Sequence, residues 1–146
     1  MFDEKMVAEE NDALCIKLTA VPGPWNREPN REEFKHSGFD CLLQRSGGGG
    51  HWCGYVAVTP NHLWSGRSYS GLDIDVHGGL TYSEGCAGKI CHRSEGDDKV
   101  WWFGFDCGHA WDLSPLDSWG RSGAYRDINY VREQTKLLAE QLAKIV

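Results

Sequence analysis

Apolar residues in this chain fall into short blocks separated by turn residues, with one helical stripe near the end. Residues 51–59 (HWCGYVAVT) carry Trp52, Tyr55, Val56 and Val58 in a pattern that suits a half-buried strand, closed by Pro60-Asn61. Residues 39–44 (FDCLLQ) predict a second strand. Residues 100–105 (VWWFGF) are the most hydrophobic run and predict a central strand covered on both faces. Adjacent side chains of a strand point to opposite faces, so Trp101 and Trp102 are expected on different sides of the sheet, as are Trp52 and Tyr55. Residues 73–77 (DIDVH) alternate polar with apolar, and Gly78-Gly79 then turns the chain into residues 80–83 as a hairpin or tight corner. Residues 13–20 (ALCIKLTA) alternate in part and predict a strand stopped by Pro22-Gly23-Pro24. Residues 25–33 and 84–99 are polar and read as connections.

Only residues 127–146 have a clear helical period. Asp127 can cap the N-terminus, and Ile128, Val131, Leu138, Leu142 and Ile145 form the apolar stripe. Gly108, Pro115, Gly120 and Gly123 exclude a long helix in residues 106–125. The run Ser46-Gly47-Gly48-Gly49-Gly50 reads as a flexible hairpin loop. A phosphate-cradling role would need a helix start and a Lys or Ser/Thr after it, whereas His51-Trp52-Cys53 follows. The elements together predict an α+β fold: a largely antiparallel sheet with the C-terminal helix packed on one face, and long Gly-rich loops. Residues 1–12 are expected to be an acidic N-terminal arm, mobile or a short surface helix, and residues 13–146 one domain.

Charge and composition narrow the function classes. The net charge is −6, of which Asp3, Glu4, Glu9, Glu10 and Asp12 against Lys5 place −4 in the first twelve residues. Binding to duplex nucleic acid, which needs a basic face, is therefore not expected. No apolar run approaches the roughly 18 residues of a membrane span, and the start lacks a signal peptide's basic and apolar regions, so a cytoplasmic protein is expected. In that compartment the six cysteines should remain thiols, most of them buried as small hydrophobes. Seven tryptophans and eighteen glycines are the unusual counts. Bulky indoles build either a core or a surface for flat ligands.

Two segments combine strand ends, glycine and polar side chains: residues 73–82 and residues 101–112. If they neighbour each other, His77 converges with Asp106, His109 and Asp112. Three readings of that group stay open. His and Asp offer metal ligands, to which Cys107 or Cys53 could add a thiolate, but the spacing fits no metal rule and neither a resident metal nor a cofactor is expected. A His beside a carboxylate can act as a general base, but no nucleophile motif accompanies it. The four side chains can also simply hydrogen-bond strand ends and turns. Loop tryptophans such as Trp111 and Trp119, near Arg67, Arg121 and Arg126, could stack a base while arginine holds an anion.

The strings Pro22-Gly23-Pro24-Trp25, Phe39-Asp40-Cys41-Leu42, His51-Trp52-Cys53-Gly54-Tyr55-Val56, Asp75-Val76-His77-Gly78-Gly79-Leu80-Thr81 and Trp101-Trp102-Phe103-Gly104-Phe105-Asp106-Cys107-Gly108-His109 resemble a family of small uncharacterised proteins of bacteriophages and bacteria. The resemblance runs from about Pro22 to Ala143 and ends with Tyr125-Arg126-Asp127 opening the terminal helix. The family pattern has Ala at the position of Gly108 and often Gly at that of Trp111, so the loop after Asp106 is expected to be shaped differently here. The resemblance implies a bacterial host cell and a counter-defence role, by binding a host protein or sequestering a nucleotide-derived signal.

The residues and the resemblance together lead us to expect binding of a nucleotide-like small molecule rather than catalysis, at a pocket of His77, Thr81, Asp106, His109, Asp112, Trp52 and Trp102. A nucleotide hydrolase with His/Asp acid-base or metal chemistry and an inhibitor of a host protein are the alternatives, and a homo-oligomer is left open.

Overall fold

The computed structural model describes residues 2–92, 98–117 and 123–146. Five strands form one antiparallel sheet in the order β1-β2-β3-β5-β4, comprising β1 (Arg31–His36), β2 (Phe39–Arg45), β3 (Trp52–Val58), β4 (Tyr82–Gly85) and β5 (Trp101–Asp106). The helix α2 (Ile128–Ala143) packs across β2 and β3, so the α+β architecture is as the hydrophobic pattern predicts. Asp127 caps α2 by accepting the Tyr130 N–H at 2.8 Å. Val131, Leu138, Ala139 and Leu142 meet Leu43, Trp52, Val56, Phe103 and Phe105 in the main core. Gly54 makes this close approach possible, because a Cβ there would lie 2.3 Å from Thr135 Oγ1. On the opposite face Leu42, Tyr55, Ala57 and Trp102 pack with Ile90 and Val100.

The N-terminus differs from the sequence reading. The strand expected over residues 13–20 is absent: α1 (Glu4–Thr19) is one continuous helix that takes in the helical alternative for the first twelve residues and extends it, and its N-cap, Asp3, accepts the Met6 N–H at 3.0 Å. Val7, Leu14 and Leu18 are its buried residues, a sparse helical stripe whose lower part, seen alone, passes for strand alternation. Leu14 and Leu18 pack with Trp25, Leu113 and Leu116.

β1 lies where a polar connection was expected. Among the described residues it pairs with β2 alone, and an edge strand can be polar because one side needs no core partner. Residues 73–77 form no ladder, although Ile74 and Val76 do reach the core. Side chains of α2 satisfy their backbone instead: Gln141 accepts the Asp75 N–H at 2.8 Å and donates to the Asp75 carbonyl at 2.9 Å, and Gln134 accepts the His77 N–H at 2.9 Å. Residues 46–51 connect β2 to β3 as a hairpin, and β4 begins where the turn after Gly79 was expected to lead.

One correction concerns sulfur. Cys86 and Cys91 form a disulfide, across a turn closed by the Ala87–Ile90 bridge that brings their Cα atoms within 4.7 Å; Cys15, Cys41, Cys53 and Cys107 are thiols. Among the described residues no helix is long and apolar enough to cross a membrane.

A buried ion pair joins the elements at the loop end of the β2–β3 hairpin, where Arg45 lies opposite Trp52. Arg45 is completely buried, donates to Glu28 Oε1 at 2.9 Å and to the Gly50 carbonyl at 2.7 Å, and lies 4.4 Å from the Trp52 ring centre. Glu28 also accepts from the Tyr125 hydroxyl, and its Oε2 accepts the Ile128 N–H at 2.8 Å, in the first turn of α2.

Candidate functional site

The C-terminal end of β5 delivers Asp106 to the sheet rim, and the chain turns at once because Asp106 Oδ1 accepts the Gly108 N–H at 3.0 Å. His109 and Asp112 follow on this loop. The segment strapped to α2 brings His77 to the same place, and Gly78 then reverses the chain at φ +68°. Only glycine fits there: a Cβ on Gly78 would lie 2.2 Å from His109 Nε2.

Four of the expected residues therefore meet. His77 Nε2 lies 2.9 Å from Asp112 Oδ2, and its Nδ1 lies 2.7 Å from the Tyr130 hydroxyl on α2. Asp112 Oδ2 also accepts the His109 N–H at 3.1 Å, while Oδ1 accepts Arg126 Nε at 2.9 Å. Burial on its own would raise the Asp112 carboxyl, but these donors outweigh it and hold the group below the usual carboxylate range. The His109 ring stacks on Trp111 at 4.9 Å and lies 5.7 Å from the His77 ring. Its Nε2 is buried without a hydrogen-bond partner, and Asp106 Oδ1 is 3.5 Å away.

Asp106 also lines an open cleft of about 390 Å³ with His51, Tyr55, Thr81, Tyr82 and Lys89. Thr81 Oγ1 donates to Asp106 Oδ2 at 3.1 Å. His51, whose Nδ1 lies 3.1 Å from Ser114 Oγ, has its pKa lowered chiefly by burial, against the pull of Asp106 and Asp112, so it is neutral at pH 7. Burial pushes the Cys53 thiol up to about 12 and the Tyr55 phenol well above its ordinary value, and burial with Glu84 pushes Tyr82 up to about 12. Lys89 pairs with Glu10 of α1.

Of the seven residues expected at a pocket, Asp106 and Thr81 line the cleft, and His77, His109 and Asp112 form the cluster beside it. The two tryptophans lie elsewhere. Trp52 is sealed in the α2-facing core under Arg45, and Trp102 in the opposite core, donating to Cys86 Sγ at 3.3 Å. Each indole has an interior to fill, so neither is available to a ligand. Trp119 and Arg121 lie outside the described residues.

The pattern along the chain passed over Tyr130, His51 and Lys89. Tyr130 sits off the apolar stripe of α2, His51 reads as the first residue of a strand, and Lys89 belongs to a segment with no periodicity. Arg126 could be singled out only as an anion holder, whereas it orients Asp112. The chain matches no protein-family model, no curated protein and no solved structure, so the likeness to phage proteins is carried by the quoted strings alone.

Proposed function

We propose that the cleft binds a small polar molecule carrying an anionic group and a flat ring, the chemistry of a nucleotide, and holds it without turning it over. One observation carries this reading: a 390 Å³ cleft combines the Lys89 ammonium, the neutral His51, the Thr81 hydroxyl, the Asp106 carboxylate and the Tyr82 ring. That volume lies within the range of small-molecule sites, and the mixture gives charge, hydrogen bonding and a stacking face. Binding without turnover is supported by the protonated state of the cleft's Cys53 and Tyr55, which offer neither a thiolate nor a phenolate as nucleophile. The resemblance to phage proteins supplies the setting, a bacterial cell in which a binder withholds a nucleotide-derived signal from host defence.

Calorimetry and thermal shift against nucleoside monophosphates, diphosphates and cyclic nucleotides test the proposal. At least one should give saturable heat and a raised Tm, both weakened in Lys89→Met and Asp106→Asn. Silence across that set removes the reading. A hydrolase is the second reading, favoured by His51 as a neutral base facing the same cleft as Asp106. Chromatography of the incubated ligand separates the two, since a binder returns it unchanged.

A further inference from the structure

The cluster beside the cleft has donors of the kind that hold a first-row divalent cation. One ligand atom each from His77, His109 and Asp112 lies within 4.8 Å of the others, although the residues come from two segments far apart in the chain. In a tetrahedral zinc site with bonds of about 2.1 Å the donors stand about 3.4 Å apart, so closing the set needs side-chain shifts of less than about 1 Å. Three further features go beyond what a hydrogen-bonded network requires. His109 Nε2 is buried and makes no hydrogen bond, the Asp106 carboxylate standing 3.5 Å away, although a buried ring nitrogen normally finds a hydrogen-bond partner. The Tyr130 hydroxyl sits 2.7 Å from His77 Nδ1, where it can accept a hydrogen bond from the Nδ1–H once Nε2 is metallated. Arg126 and the His109 N–H fix the Asp112 carboxylate from outside, as outer partners of a ligating carboxylate do.

We propose that His77, His109 and Asp112 form a binding site for a borderline divalent cation of the zinc type, with the Asp106 carboxylate at hand as a further oxygen donor. Binding moves the single ring proton of neutral His77 from Nε2, where it faces Asp112 Oδ2, to Nδ1, where the Tyr130 hydroxyl accepts it as a hydrogen bond, and keeps Arg126 on Oδ1. Two imidazoles and one carboxylate suit zinc or cobalt better than magnesium or calcium, which prefer all-oxygen sites. The proposal does not depend on which ligand the cleft takes.

The test uses the full chain without a polyhistidine tag, stripped with chelator and dialysed. Titration with Zn²⁺ should give one equivalent bound and a raised Tm, and Co²⁺ should develop the visible bands of a four- or five-coordinate site. His109→Gln, which removes a nitrogen that makes no hydrogen bond, should weaken Zn²⁺ at least about tenfold while far-UV circular dichroism confirms that the chain still folds, and Tyr130→Phe by about tenfold. Cys86→Ser/Cys91→Ser should bind as the parent does. No zinc heat and no cobalt bands in the parent protein, or binding unchanged in both His77→Gln and His109→Gln, overturns the site. Nucleotide calorimetry on the stripped protein keeps this result separate from the cleft's.

Discussion

Glu28→Gln should remove most of the stability of this fold. The substitution keeps size and shape but leaves the Arg45 guanidinium, which has no solvent exposure, without its counter-charge. Breaking one partner out of a buried ion pair costs about 3–5 kcal/mol. A second cost follows from the amide. Oε1 can still serve Arg45 and Tyr125, but the amide nitrogen then faces the Ile128 N–H that Oε2 accepts at 2.8 Å, which strands a donor in the first turn of α2 at about 1–3 kcal/mol. The sum, about 4–8 kcal/mol, is comparable with the whole stability of an ordinary domain, about 5–15 kcal/mol. Urea unfolding followed by tryptophan fluorescence measures it, because Trp52 lies against Arg45. The double variant Glu28→Gln/Arg45→Met, which removes the stranded charge, should recover part of the loss, with a coupling of about 2 kcal/mol or more. A midpoint for Glu28→Gln corresponding to a loss below about 1 kcal/mol, or strictly additive single variants, would refute the claim that this pair joins the elements.

Three other outcomes follow from the structure. Because the pKa of His51 is lowered from 6.5 in the folded state, the unfolded chain binds the extra proton first. Its contribution to stability is complete above pH 6.5 and is lost as the pH falls from there through the lower folded value. Urea midpoints between pH 7.5 and 5 should therefore drop less in His51→Asn than in the parent, and parallel slopes would contradict this. Gly54→Ala puts a Cβ 2.3 Å from Thr135 Oγ1 and should cost about 1–3 kcal/mol, read as a lowered Tm, with Thr135→Ser failing to restore it and Thr135→Ala restoring part. Gln141→Leu removes both hydrogen bonds to Asp75, so amide exchange should quicken in residues 73–77 while β3 and β5 stay protected; uniform protection would mean that the strap is redundant.

β2, β3, β5 and α2 were legible in the chain because each buries a dense apolar pattern, and such a pattern carries its own period. α1 was not, since only three of its sixteen residues are buried among many charges. β1 was missed for a related reason: an edge strand beside α2 can hold its place with polar contacts, as Glu32 does with Arg132 at 2.8 Å. Residues 73–77 alternate as a strand does, yet whether a ladder or the glutamines of a distant helix satisfy that backbone has no local signature. The sequence by itself determined the α+β class, the strand faces of Trp101 and Trp102, and the cap of α2. Tertiary structure alone decided that His77 meets Asp112 and Tyr130, that His51 and Lys89 share a cleft with Asp106, and that Trp52 packs under the Arg45 of a buried ion pair rather than against a ligand. The physical reason is separation. Short-range periodicity reports which face of an element is buried, whereas a hydrogen bond between residues 53 or 100 positions apart exists only after the whole sheet has brought them together.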